Sequence, residues 1–156
     1  MTEIFTAAVV QAAPIAFERE RTLEKLRDLT ADAGRQGARL AVFPEAFVSA
    51  YPKGLDFGAR VGTRTREGRE DFRRYFDSAV DVPGPAVGFL GRVARENRLT
   101  LVVGVTEREG GTLYSPVLFF EPDAAYLGKH RKPMPTAMER REWGFGDGST
   151  LPGFDT

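Results

Sequence analysis

The sequence predicts an α/β fold, a mixed sheet with helices laid against it, on three observations. Short apolar runs of strand length, closed by proline or turn residues, recur along the chain. Between them lie charged segments whose apolar residues fall at helical spacing. The chain has 156 residues, of which 42% are hydrophobic and 12 are Phe, so it can bury one real core and is not a disordered polypeptide.

Thr6 to Ala13 is an apolar run ended by Pro14, short for a helix and suited to a buried strand. Glu18 to Gly34 is the first predicted helix, with Leu23, Leu26 and Ala33 near one face and Gly34 as its stop. Arg39 to Phe43, closed by Pro44, is a second buried strand. Val61 to Arg69, with two Gly, two Thr and three Arg, reads as a solvated loop or insertion. Asp71 to Val80 then sets Phe72, Tyr75, Phe76 and Ala79 at i, i+3, i+4 and i+7, a second helix. Val82-Pro-Gly-Pro85 breaks it and opens a third, with Pro85 in the first turn and Val87, Leu90, Val93 and Ala94 on one face. Leu99 to Thr106 is the third strand, and Glu109-Gly-Gly111 turns it into a fourth, Thr112 to Phe120. After Pro122 the chain becomes polar, with a basic cluster at Lys129 to Lys132 and a Gly-rich loop at Trp143 to Ser149. The order is β-α-β-α-α-β-β in one domain, residues 1–156, without repeats or low-complexity tracts.

Composition removes several function classes. With 22 Lys+Arg against 22 Asp+Glu, the chain lacks the net basic character that a nucleic-acid or anionic-membrane binder needs. It has no cysteine, hence no disulfide, no thiolate metal site and no thiol nucleophile of its own. Its one histidine, His130, makes a metal site improbable, and no cofactor motif occurs. Ile4 to Ala13 is too short and too polar for a signal core or a membrane span, so the expected location is cytoplasmic.

Three features can carry chemistry. Glu45 directly follows an apolar strand and precedes Ala46-Phe-Val48, where desolvation would raise its pKa toward that of a general base. The plainer alternative is a solvated strand-end glutamate. Lys132 and Glu139 are separated by Pro133 and Pro135, so helical spacing cannot bring them together. An ammonium held between carboxylates would stay charged and stabilise an oxyanion, whereas the alternative is a surface basic cluster with Lys129, Arg131, Arg140 and Arg141. The dense glycines of the Trp143 loop suggest tight turns or close approach to a ligand, but no phosphate-loop ending is present. The serines lack His and Asp companions in a triad pattern.

Taken together, these segments resemble nitrilases of the carbon–nitrogen hydrolase superfamily. Ala7-Ala-Val-Val-Gln-Ala-Ala-Pro14 is similar to the family's first strand, and Gly37-Ala-Arg-Leu-Ala-Val-Phe-Pro-Glu-Ala-Phe-Val-Ser-Ala-Tyr-Pro52 to the segment bearing its glutamate, here Glu45. Leu127-Gly-Lys-His-Arg-Lys-Pro-Met-Pro-Thr136 resembles the segment bearing its lysine, here Lys132. Met138-Glu-Arg-Arg-Glu-Trp-Gly-Phe-Gly-Asp-Gly-Ser149 carries the match to the second glutamate, Glu139. The resemblance implies a four-layer α-β-β-α sandwich, here incomplete, and hydrolysis of a nitrile to carboxylic acid and ammonia through a cysteine thiolate. It gives Glu45 the role of general base, Lys132 that of charge stabiliser and Glu139 that of orienting group, with Tyr51 and Trp143 beside the substrate.

The family's cysteine falls past Thr156, and the chain has none, so the expectation is that this chain alone does not hydrolyse nitriles. Half a sandwich would expose an apolar sheet face, so a homo-oligomer or a complementary C-terminal half is the expected partner. Ser115-Pro116, Pro133 and Glu142 depart from the family pattern. The competing readings are a non-catalytic binding or scaffold protein, and an amidase-type relative using the same residues on a carboxamide.

Overall fold

The structure, a computed structural model, describes residues 4–154. Its elements are β1 (Thr6–Val9), α1 (Arg19–Arg35), β2 (Ala38–Val42), β3 (Ala59–Arg60), β4 (Thr63–Arg64), α2 (Arg66–Ser78) and β5 (Val80–Asp81). There follow α3 (Pro85–Asn97), β6 (Thr100–Gly104), β7 (Glu107–Glu109), β8 (Thr112–Tyr114), β9 (Pro116–Phe120) and β10 (Tyr126–Arg131). The five-stranded sheet runs β1-β2-β6-β9-β10. Its first three strands are parallel and its last three antiparallel neighbours, the mixed sheet that the sequence predicts.

One face of this sheet is the core. Leu23 and Leu26 of α1 and Leu90, Val93 and Ala94 of α3 pack with Ala41, Leu101, Val103, Leu118 and Phe120 from the strands. The alternate strand residues share the opposite face, where Leu40, Val42, Val102, Val117 and Phe119 are half-buried and Val9 is 83% exposed. A second cluster gathers Tyr75 and Ala79 with Ala46, Phe57, Leu113 and Trp143, so α2 packs there and not on the main sheet.

Four differences from the sequence reading have physical causes. The first strand ends at Val9, five residues before Pro14, although Val10 N–H still donates to Val42 O at 2.9 Å. Helix α2 begins at Arg66 because the Thr65 side chain caps it, accepting from Gly68 N at 3.1 Å; the expected loop is a two-residue hairpin plus the first helical turn. Gly68 is required there, since a Cβ would sit 2.2 Å from the Phe57 backbone. The fourth strand divides between two sheets, β9 in the large one and β8 with β5 and β7, and β7 is a strand of its own beyond the expected end of the third at Thr106. Val48 inserts at the break, its N–H donating to Gly104 O and its carbonyl accepting from Thr106 N. Finally, the basic cluster is strand β10. Its charges hide it from an apolar-run criterion.

Candidate functional site

Glu45 stands where β2 has ended, and the backbone turns sharply behind it. Ala46 (φ 48°), Ser49 (φ 94°) and Ala50 (φ 83°) all have positive φ, each at a cost of order 1–3 kcal/mol. That turn sends Phe47 and Val48 into the core and leaves Glu45 outside it. Its side chain is 46% exposed, so the expected desolvation is not found; solvated strand-end placement wins, because Pro44 and Glu45 lie at the open end of the sheet.

Lys132 continues the line of β10. Its N–H donates to Ser115 O and its carbonyl accepts from Gly146 N, both at 3.0 Å. Two of the three glycines of the neighbouring loop approach protein atoms closely: a Cβ on Gly146 would lie 2.9 Å from Lys132 O, and one on Gly144 2.8 Å from Thr112. Thr136 then caps a 3-10 turn, Ala137–Arg141, in which Glu139 returns its carboxylate to Thr136 N at 2.5 Å. This capping box, Thr-x-x-Glu, aims Glu139 back toward Lys132.

The three charged groups meet. Lys132 Nζ donates to Glu45 Oε1 at 3.0 Å and to Glu139 Oε2 at 2.8 Å. The intervening prolines therefore allow the contact that spacing alone cannot predict. Tyr51 OH donates to Glu139 Oε1 at 2.7 Å, and its ring meets Trp143 edge-on, with centroids 5.5 Å apart. Ser115 Oγ lies 3.4 Å from Glu45 Oε1. Trp143 is 3% exposed and touches the site through the Tyr51 ring and the Lys132 ammonium, 5.7 Å above its own ring.

Burial opposes the charge on Lys132, but Glu139 and Glu45 outweigh it and hold its pKa above the ordinary lysine value. Burial likewise resists ionisation of Glu139, and the Lys132, Thr136 and Tyr51 donors overcome it, leaving the pKa below the usual carboxylate range. Tyr51 is pushed up, first by its hydrogen bond to Glu139 and then by burial. The arrangement thus holds a protonated ammonium beside one fixed carboxylate, Glu139, and one open to approach, Glu45.

Reading by motif missed Tyr75 as a polar group. Trp143 Nε1 donates to the buried Tyr75 OH at 2.9 Å, and that hydroxyl lies 3.0 Å from Thr106 Oγ1, anchoring the indole from below. Tyr75 was legible only as an apolar helix-face residue. His130 is engaged with Thr150 O at 2.7 Å, and among the described residues no group of His, Cys, Asp and Glu is arranged to hold a metal ion.

The α/β sheet thus carries a carboxylate–ammonium–carboxylate cluster beyond its strand ends. Residues 6–156 match the carbon-nitrogen hydrolase family, and the chain belongs to it. It is 54% identical over 155 residues to a bifunctional nitrilase/nitrile hydratase of Nicotiana tabacum, covering 99% of this chain and 44% of that protein. It is 53% identical over 147 residues to an aliphatic nitrilase of Sinorhizobium fredii, covering 94% of this chain and 47% of the relative. The chain therefore spans less than half the length of these curated relatives. Among solved structures, an amidase from Nesterenkonia sp. matches with a TM-score of 0.65 at 20% identity, covering 90% of this chain and 48% of that one, a likeness of fold. Among the described residues no helix is long and apolar enough to cross a membrane.

Proposed function

We propose that the chain supplies the base, the cation and the orienting carboxylate of a nitrile-hydrolysing site, with the attacking thiol coming from outside these residues. The observation that carries this reading is Lys132 Nζ lying within 3.0 Å of both Glu45 and Glu139. In this mechanism the thiolate adds to the nitrile carbon, and the Lys132 ammonium stabilises negative charge developing on nitrogen. Glu45, the open carboxylate, takes the proton from the thiol and passes it to the substrate nitrogen, and then does the same for the proton of the attacking water, so that nitrogen leaves as ammonia. Water converts the thioimidate to a thioester with release of ammonia, and a second water releases the carboxylic acid. Glu139 orients Lys132, while Tyr51 borders the substrate with Trp143 behind it. The half-buried sheet face carrying Leu40, Val42, Val102 and Phe119 receives the complementary half of the domain, a reading supported by the chain's coverage of 44% of its relative.

The test is a chimera joining this chain to the cysteine-bearing remainder of the Sinorhizobium nitrilase. A soluble chimera should release ammonia from a nitrile, and Glu45→Gln or Lys132→Met should lower that rate by about two orders of magnitude or more. The chain alone should release none. Ammonia release by the chain alone in proportion to its concentration, or a folded chimera indifferent to both substitutions, would overturn the proposal. A preference for carboxamides over nitriles would reassign the substrate to the amidase class.

A further inference from the structure

Beside the site lies a second charged cluster that the chemistry above does not use. Glu107, the first residue of β7, is fully buried, and its carboxylate holds two cations from β10. Lys129 Nζ donates to Oε1. Arg131 spans both oxygens, with Nε 2.7 Å from Oε2 and Nη2 2.8 Å from Oε1. The Arg131 guanidinium also reaches Glu109 Oε2 at 3.2 Å and lies 3.9 Å over the Tyr114 ring. Planar, two-pronged pairing of this kind fixes direction as well as distance.

The sequence position of the two cations is what matters. Side chains alternate along a strand, so Lys129 and Arg131 face Glu107 while His130 turns away to Thr150 O. Lys132 is the next residue. The backbone ladder with β9 reaches this point: Lys132 N donates to Ser115 O at 3.0 Å, while Arg131 N, one residue earlier, faces the other way and bonds Thr150 Oγ1 at 3.1 Å. The Glu107 pairs add a side-chain hold to that register, and a one-residue slip would carry Lys132 to the opposite face.

We propose that Glu107 is a positioning residue for Lys132: by gripping Lys129 and Arg131 it fixes the register of β10, so that the Lys132 ammonium lies between Glu45 and Glu139. The inference rests on Lys132 being the cation of the site proposed above. It is not a claim that Glu107 touches substrate.

The experiment measures amine acylation at single lysines by a dilute anhydride, read by peptide mass spectrometry in the purified chain. In the unsubstituted protein Lys132, held between two carboxylates, should react severalfold more slowly than the exposed Lys53. In Glu107→Gln, with its circular dichroism retained, Lys132 should speed up to about the Lys53 rate. Arg131→Lys, which keeps the charge and loses the fork, should give a smaller rise and decides the matter if Glu107→Gln does not fold. Leu90→Ala, a core truncation remote from β10, should leave the Lys132 rate unchanged, which separates positioning from general loss of stability. A protected Lys132 in folded Glu107→Gln, or in Arg131→Lys, would overturn the positioning role and leave the site reading intact. Equal rates for Lys132 and Lys53 in the unsubstituted protein would instead sink the site reading itself.

Discussion

Two charged clusters meet at the end of β10, one on Lys129 and Arg131 within it and one on Lys132 just past it, and solve opposite problems. Around Glu107, one carboxylate serves two cations; its side chain is 0% exposed, and Lys129 and Arg131 are 18% and 13% exposed. Around Lys132, one cation serves two carboxylates, with Glu45 46% and Lys132 26% exposed. The buried cluster is closed, since both oxygens of Glu107 are taken by donors. The outer cluster keeps a surplus carboxylate with one oxygen in the Lys132 contact and the group open to solvent. A buried charge must be fully paired to be tolerated, whereas a reacting group must keep something unpaired. The alternation of one strand lets both conditions hold a single residue apart.

Removing a carboxylate from each cluster is the strongest way to break this comparison. Glu107→Leu leaves Lys129 and Arg131 without their partner in a largely buried setting and should destabilise the fold by about 3–5 kcal/mol. Glu45→Gln, at an exposed pair, should cost less than about 1 kcal/mol. Urea denaturation followed by circular dichroism measures both, and equal costs would erase the distinction. A smaller effect tests the floor of the outer cluster, the Trp143 indole under Lys132. Tyr75→Phe removes the acceptor of Trp143 Nε1 and the partner of Thr106 inside the second core, and should cost about 1–3 kcal/mol. Trp143 is the only tryptophan in the sequence, so its fluorescence reports that site alone and should shift in emission when Tyr75→Phe frees the indole N–H.

The two clusters also differ in how far the sequence revealed them. Glu45, Lys132 and Glu139 were legible because each lies in an ordered motif, yet their contact was not. It depends on a backbone turn at Ala46 and on the Thr136 capping box, which act through tertiary geometry and not through spacing across two prolines. Thr136-x-x-Glu139 was available as a capping signal. The Glu107 cluster went unseen for the reason β10 did: Lys129-His-Arg131 looks like solvated charge until the partner is known. Its one local trace is the period-two placement of Lys129 and Arg131 on a single strand face. Helix α1 was read nearly to both ends and α3 to its start because they bury plain aliphatic stripes, a signal that needs no knowledge of the rest of the fold.

The smallest expected effect concerns proton linkage at the outer cluster, and its sign follows from the directions of two shifts. Glu139 has its pKa lowered from the usual 4.5, so the folded state binds that proton less readily than the unfolded state does. Its contribution is fully present above the unfolded value and is lost as pH falls through the lower folded one. Lys132 has its pKa raised from the usual 10.5, so its contribution is present below that value and is lost as pH rises through the higher folded one. Between those limits the pair should make stability insensitive to pH. Urea midpoints taken from neutrality down through the carboxylate range should therefore fall less steeply in Glu139→Gln than in the unsubstituted protein. Lys132→Met should flatten the alkaline side and also weaken the acid side, because Glu139 loses a donor that keeps it ionised. If Glu139→Gln left the acid slope unchanged, the carboxylate would be no better paired than in the unfolded chain. None of its three donors, Lys132, Thr136 and Tyr51, would then stabilise its charge.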